Sequence, residues 1–180
     1  MIAVTRFFWC FCILLVTVSG AAGAMPEGDW LKGIPLDRAI RIGTGRHVVI
    51  EISDPDCRFS RRMTRYWGMR KDVTRYIFLV ALKNHPEAPQ KARYILAATD
   101  RARAYTEVFS GGLDFDGKRL DRQYDDRGLL KLHEGVAARL GVIGTPTYVV
   151  DGVMVKGAKV KEIEKLLGGE SIPFDPSDPE

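Results

Sequence analysis

Two dense apolar runs, "RHVVIEIS" (Arg46 to Ser53) and "VTRYIFLVAL" (Val73 to Leu82), flank a helix-forming stretch and constrain the fold more than any other feature of the chain. Runs this rich in β-branched and aromatic residues read as buried strands, the first ended by Asp54-Pro55 and the second by "NHPEAP". Between them a helix is expected from about Cys57 to Met69. Phe59, Met63 and Tyr66 fall at i, i+4 and i+7 and give it one apolar face, while Arg58, Arg61, Arg62 and Arg65 decorate the others. Strand, helix, strand is the start of an α/β fold.

The segments Ala88 to Thr99 and Asp100 to Phe109 have the composition of helices, and Gly111-Gly112 stops the second. "LDFDGKRLDRQYDD" is polar and turn-rich and reads as a loop. A further helix is expected from Asp125-Asp126 to about Leu140, with Gly141 as its stop. These helices form an insertion between two halves of a sheet. The second half, "TPTYVVDGVMVKG", is two short strands joined at Asp151-Gly152, a strong hairpin signal, and Lys159 to Leu167 closes the domain as a helix. The tail from residue 169 to residue 180, rich in proline and acids, reads as disordered.

With 180 residues the chain suits one domain, which we place at residues 25–168. Lys plus Arg number 27 against 23 Asp plus Glu, a net +4 too small and scattered to argue for nucleic acid, and none is expected as a partner. Residues 1–24 carry Arg6 as their one charge, then "FFWCFCILLVTV" and the small residues "SGAAGA", the layout of a secretory signal peptide. The apolar run is shorter than the roughly 20 residues that cross a bilayer, so cleavage before Met25 is expected. The alternative is an uncleaved anchor, the only route by which the chain would touch a membrane. Either way the body is expected outside the cytoplasm.

Cleavage removes Cys10 and Cys12 and leaves Cys57 alone. An unpaired thiol in an oxidising compartment calls for a chemical explanation, against the plainer reading of an inert buried cysteine. Cys57 opens the expected helix within "DPDCRFSRRM", and Ser60 stands three residues on, where a dithiol enzyme carries its second cysteine. His47, His85 and His133 are far apart, have no metal-ligand spacing and are expected to be exposed; no metal and no cofactor is implied.

The order strand, "DPDC" at a helix start, helical insertion, "GVIGTPTYVV", hairpin and final helix resembles the thioredoxin-like fold, with a helical insertion between its βαβ and ββα halves. Within that fold it is similar to the DsbC and DsbG family of periplasmic disulfide isomerases. Asp54-Pro55-Asp56-Cys57 with Phe59 looks like the family's active-site turn, and Gly144-Thr145-Pro146 like its cis-proline loop, which lies against the active-site sulfur. The resemblance spans Ile34 to Leu167. It implies Cys57 as nucleophile and Thr145, Pro146 and Phe59 as the substrate platform. The departures are Ser60 in place of the resolving cysteine, Ala97 where a structural cysteine is expected, and only a short lead before the first strand.

A thiolate at a helix N-terminus faces unpaired amides and the positive end of the macrodipole, and Arg58 and Arg61 are expected to add positive charge; Asp54 and Asp56 oppose it but are expected to point to water. Ser60 can donate a hydrogen bond to the thiolate but cannot attack a mixed disulfide. Net dithiol oxidation or reduction by this chain alone is therefore not expected. Isomerisation and exchange with a small thiol such as glutathione stay open, and the expected partners are cysteine-containing extracytoplasmic proteins or such a thiol. The rival is a non-catalytic peptide-binding module or chaperone.

Overall fold

The structure, a computed structural model, describes residues 29–169 and 171–174. The expected signal segment lies outside the described residues. After two short 3-10 turns the chain forms β1 (Ile40–Ile42), β2 (His47–Ser53), α1 (Arg58–Met69) and β3 (Val73–Leu79). The insertion follows as α2 (Ala88–Ala97), α3 (Arg101–Phe109), α4 (Gly117–Leu120) and α5 (Leu129–Arg139). The hairpin β4 (Thr147–Val150) and β5 (Val153–Lys156) and the helix α6 (Val160–Leu167) complete the fold.

The five strands form one sheet in the order β1-β3-β2-β4-β5, with β2 and β3 parallel and every other pair antiparallel. The central strands are covered on both sides, which is why they read as near-continuous apolar runs rather than as alternating ones. Strand period sorts their side chains between two cores. Val49 of β2 packs with Met63, Tyr66 and Trp67 of α1 and Ile163 of α6, whereas Ile50 and Ile52 pack with Val136 and Ala137 of α5. Ile77 and Leu79 of β3 face Ile95, Tyr105 and Val108 of the insertion. At the hairpin, Asp151 (φ 47°) and Gly152 (φ 80°) both take positive φ, the turn whose twist matches two antiparallel strands.

Several elements depart from expectation. β1 was not foreseen as a strand; it pairs with β3, Ile40 opposite Ile77. Its link to β2 runs so close to β3 that a Cβ on Gly45 would fall 1.9 Å from the carbonyl carbon of Asp72. β3 ends at Leu79 rather than Leu82 because the amide of Leu82 turns to the Asp54 carboxylate, at 2.7 Å, instead of to a strand. The loop after α3 contains α4, begun by Asp116, whose carboxylate accepts from the Arg119 amide at 3.1 Å. α5 starts at Leu129 with Gly128 as its N-cap residue, and the two acids ahead of it hold the turn that leads in, Asp126 accepting from the Leu130 amide at 2.7 Å and Asp125 from the Arg127 amide at 2.9 Å.

Two further corrections concern burial. His133 is fully buried, not exposed: its Nδ1 accepts from the Leu79 amide at 3.0 Å and its Nε2 lies 3.0 Å from the Arg38 carbonyl oxygen. Of the tail expected to be disordered from residue 169, Ile172 donates its amide to Glu164 at 2.7 Å, and the ring of Phe174 lies 5.7 Å from that of Tyr66.

Candidate active site

The site is assembled where β2 ends. Asp54, expected to face water, is instead fully buried and ties the loop together. One oxygen accepts from the Asp56 amide at 2.7 Å, the other from the Leu82 amide at 2.7 Å, and His85 Nδ1 lies 3.0 Å from the first. The Cys57 amide donates to the Asp54 carbonyl at 3.1 Å and closes a tight turn. Cys57 then serves as N-cap of α1 in an extended conformation, and its own carbonyl accepts the Arg61 amide at 3.0 Å.

β4 brings the second motif to the same place. The register sets Ile52 opposite Thr147, so the residues just before Thr147 meet the residues just after β2. The Thr145–Pro146 peptide is cis, and the Cys57 thiol donates to the Thr145 carbonyl oxygen at 3.2 Å. Thr147 Oγ1 donates to the Gly144 carbonyl at 2.7 Å, and the Pro146 carbonyl accepts the Gly157 amide at 2.8 Å, so the loop is held on both sides. Cys57, Thr145 and Pro146 are thus brought together.

Ser60 sits one turn into α1 on its inward side. The face that α1 buries is Ser60, Met63, Tyr66 and Trp67, rotated from the expected stripe, and Phe59 is left outside at 37 % exposure. The Ser60 hydroxyl has no hydrogen-bond partner among the described residues and does not bond Cys57. It is a polar atom sealed from solvent. Arg58 stays on the rim, its guanidinium 4.6 Å from the Phe59 ring centroid.

Arg61, expected to activate Cys57, is turned elsewhere. Its guanidinium donates to the Pro55 carbonyl, to Asp56 at 3.1 Å and to both oxygens of Asp114, one of them at 2.9 Å. Lys91 of α2, with its side chain 2 % exposed, joins the same acids: its Nζ lies 2.6 Å from Asp56, 2.8 Å from Asp114 and 2.8 Å from Glu87. Two cations face three carboxylates, so the positive charge of Arg61 is spent within the cluster rather than on the sulfur. Burial works against the Lys91 charge, yet its bonds to Asp114, Asp56 and Glu87 raise its pKa to about 12. Bonding to Arg61 in turn holds Asp114 down at about 2.

Sequence reasoning found none of Glu87, Lys91 and Asp114. The first two form an i, i+4 pair at the start of α2 and could have been noticed; Asp114 lies in a polar loop that carries no such signal. Replacing Asp114 with alanine is expected to lower stability by about 2–3 kcal/mol, because it strips a partner from a buried ammonium and from Arg61 together. Urea unfolding measures this, and a change within about 0.5 kcal/mol would show the cluster to be no tighter than an ordinary surface pair.

A second buried polar group lies on the α1 side of the sheet. Glu51 accepts from Arg75 at 2.7 Å and from the Tyr105 hydroxyl at 3.0 Å, and the Arg75 guanidinium lies 5.6 Å from the Trp67 ring centroid. Among the described residues no group of His, Cys, Asp and Glu could hold a metal ion, and no helix is long and apolar enough to cross a membrane.

A βαβ unit, a helical insertion and a ββα unit, with a cysteine at the head of the first helix and a cis-proline loop against it, make this a thioredoxin-fold chain. Among solved structures it is similar to a disulfide interchange protein from Neisseria gonorrhoeae, at 29% identity and TM-score 0.62 over 73% of this chain and 94% of that one. A periplasmic thioredoxin-like protein from Salmonella enterica serovar Typhimurium shares the fold at 15% identity and TM-score 0.60, over 77% of this chain and 95% of its own. A thioredoxin-like oxidoreductase from Silicibacter pomeroyi does so at 19% and 0.59, over 79% and 96%. No family model and no curated protein matches the sequence.

Proposed function

We propose that the protein is a periplasmic thiol-disulfide exchange protein, isomerase-like in its chemistry, with Cys57 as its single nucleophile in a Cys-x-x-Ser motif. The observation that carries this reading is the thiol at the head of α1, 3.2 Å from the carbonyl oxygen of Thr145 in the cis-proline loop. A strand-like substrate segment laid against Thr145 and Pro146 would bring its own sulfur to Cys57. The likeness to the Neisseria disulfide interchange protein supports the activity, and the periplasmic Salmonella neighbour, with the signal-like residues 1–24, supports the compartment.

The chemistry needs no outside electrons. The Cys57 thiolate attacks one sulfur of a substrate disulfide, that bond breaks, and the departing substrate sulfur leaves with the electron pair as a thiolate. A second thiolate of the same substrate, or of a small thiol such as glutathione, then attacks the mixed disulfide and returns Cys57 as a thiolate. Ser60 takes no part in this release, so the intermediate waits for an external sulfur.

Non-reducing gels of envelope extracts test the proposal. Cys57-dependent adducts with cysteine-containing proteins are expected, and Cys57→Ala is expected to abolish them together with any refolding of a scrambled disulfide protein. If Cys57→Ala suppresses aggregation of unfolded clients as well as the natural chain does, and no adducts form in either case, the peptide-binding module is the correct reading.

A further inference from the structure

Lys91 is buried on α2, and its ammonium lies 2.8 Å from Glu87 on the same helix, 2.8 Å from Asp114 on the loop after α3, and 2.6 Å from Asp56, the residue before Cys57. Burying an ammonium costs about as much as such partners return, so a stabilising role does not by itself account for the group. The origin of each anchor on the active-site turn says what Lys91 adds. Arg61 also bonds Asp56 and the Pro55 carbonyl, but it belongs to α1, the helix that Cys57 heads, so its grip moves with the turn. Asp54 is held from outside by the Leu82 amide, at 2.7 Å, but at the start of the turn. Among the described residues Lys91 is the anchor on Asp56 that comes from elsewhere in the fold. Its helix is itself fixed, because Ala92, Ile95 and Leu96 pack with Ile77 and Leu79 of β3. A line of support thus runs from the sheet through α2 and Lys91 to Asp56, and next to it the Cys57 thiol donates to the Thr145 carbonyl oxygen at 3.2 Å.

We propose that Lys91 is a positioning residue for Cys57: acting through Asp56, it ties the active-site turn to the helical insertion and holds the thiol in line for attack on a disulfide laid against Thr145. The inference rests on Cys57 being the exchange nucleophile, as argued above. In that step the bond from Cys57 to one substrate sulfur forms as the substrate disulfide breaks, and the other sulfur takes the electron pair and leaves as a thiolate. The attacking sulfur must stand on the line of the bond that breaks. A disulfide seated on the cis-proline loop cannot turn to meet a displaced thiol, so a small misplacement slows the step severely. A small alkylating reagent is not seated on that loop, turns freely as it approaches, and is not slowed.

The test compares two probes on the folded chain: a cysteine peptide oxidised to its disulfide-linked dimer, and iodoacetamide. Mass spectrometry reads the rate of Cys57 adduct formation with each, at a pH where neither rate rises further, so that the thiol is fully ionised in every variant. Lys91→Met is expected to slow the peptide adduct by about tenfold and to leave alkylation within about twofold of the natural chain. Asp56→Ala removes the acid rather than the cation, is expected to do the same, and carries the comparison if Lys91→Met does not fold. The double variant is expected to be no slower than the slower single one, because both act through one bond. Val108→Ala, a buried truncation in α3, lowers stability without touching the cluster and is expected to leave both rates unchanged. If the peptide rate holds, if both probes slow alike, if the two single effects multiply, or if Val108→Ala slows the peptide as Lys91→Met does, the role assigned to Lys91 is overturned and exchange by Cys57 stands. If the natural chain is alkylated but forms no peptide adduct, the exchange reading fails and the positioning role with it.

Discussion

Ser60→Cys is expected to reduce insulin in the presence of dithiothreitol, while the natural chain leaves insulin at the uncatalysed rate. The Ser60 hydroxyl is buried without a hydrogen-bond partner, so exchanging oxygen for sulfur breaks no bond, and the small gain in volume costs less than about 1.5 kcal/mol. The new thiol stands three residues from Cys57 on the first turn of α1, within the reach a disulfide needs. It can attack the mixed disulfide, expel the reduced substrate and leave an internal disulfide that dithiothreitol then reduces. Turbidity from the precipitating insulin chain follows the reaction, with the double variant Ser60→Cys, Cys57→Ala as the control. If Ser60→Cys stays folded yet reduces no insulin, the site lacks more than a second sulfur, and the exchange mechanism proposed for Cys57 fails with it.

Acid is expected to weaken the fold well above the range where carboxylates titrate, through His133. The ring accepts from the Leu79 amide at Nδ1, so the proton sits on Nε2 facing the Arg38 carbonyl and the ring is neutral. Burial pushes its pKa down to about 4, from the 6.5 of the unfolded chain, against a smaller opposite pull from the Arg38 carbonyl. A histidine with a depressed pKa contributes stability that is whole above pH 6.5 and is lost as pH falls toward 4. The loss amounts to about 3 kcal/mol over that window. Asp114, held at about 2, adds a further loss only below about pH 3.8, so the two windows separate. Urea midpoints at pH 7, 5.5 and 4.5 measure the first. A midpoint that does not move there contradicts the buried neutral ring, and His133→Leu is expected to flatten the slope whatever it does to stability at pH 7.

The elements whose signal is local were legible in the sequence. β2 and β3 announce themselves by apolar density, α1 by its helical spacing, and the hairpin by Asp151-Gly152, because each is fixed by residues adjacent in the chain. β1 escaped notice because three residues carry no period, and its partner Ile77 lies far along the chain. Cys57, Ser60, Thr145 and Pro146 were legible as motifs. Arg61 was not, since a charge read from sequence appears free until its distant partners are known, and here Asp114 comes from a loop beyond α3. Asp54 was misjudged for the same reason: an acid in a turn looks solvated until the Leu82 amide arrives to bond it. One signal was present but unused. Glu51 is the one acid within "VVIEIS" and Arg75 the one base within "VTRYIF", and opposite charges in two neighbouring buried strands have little to pair with except each other.

Cys57 is 7 % exposed, while Ser60, three residues on in α1, has no access to solvent at all. In the exchange proposed for Cys57, any sulfur that ends the mixed disulfide would therefore arrive from the side the partner already occupies. A partner that covers that side closely would shield its own link to Cys57, and one that fits loosely, or carries a second cysteine nearby, would be let go. Under that proposal the lifetime of each complex would be set by how closely the partner fits, and clients would be sorted by how long they are held.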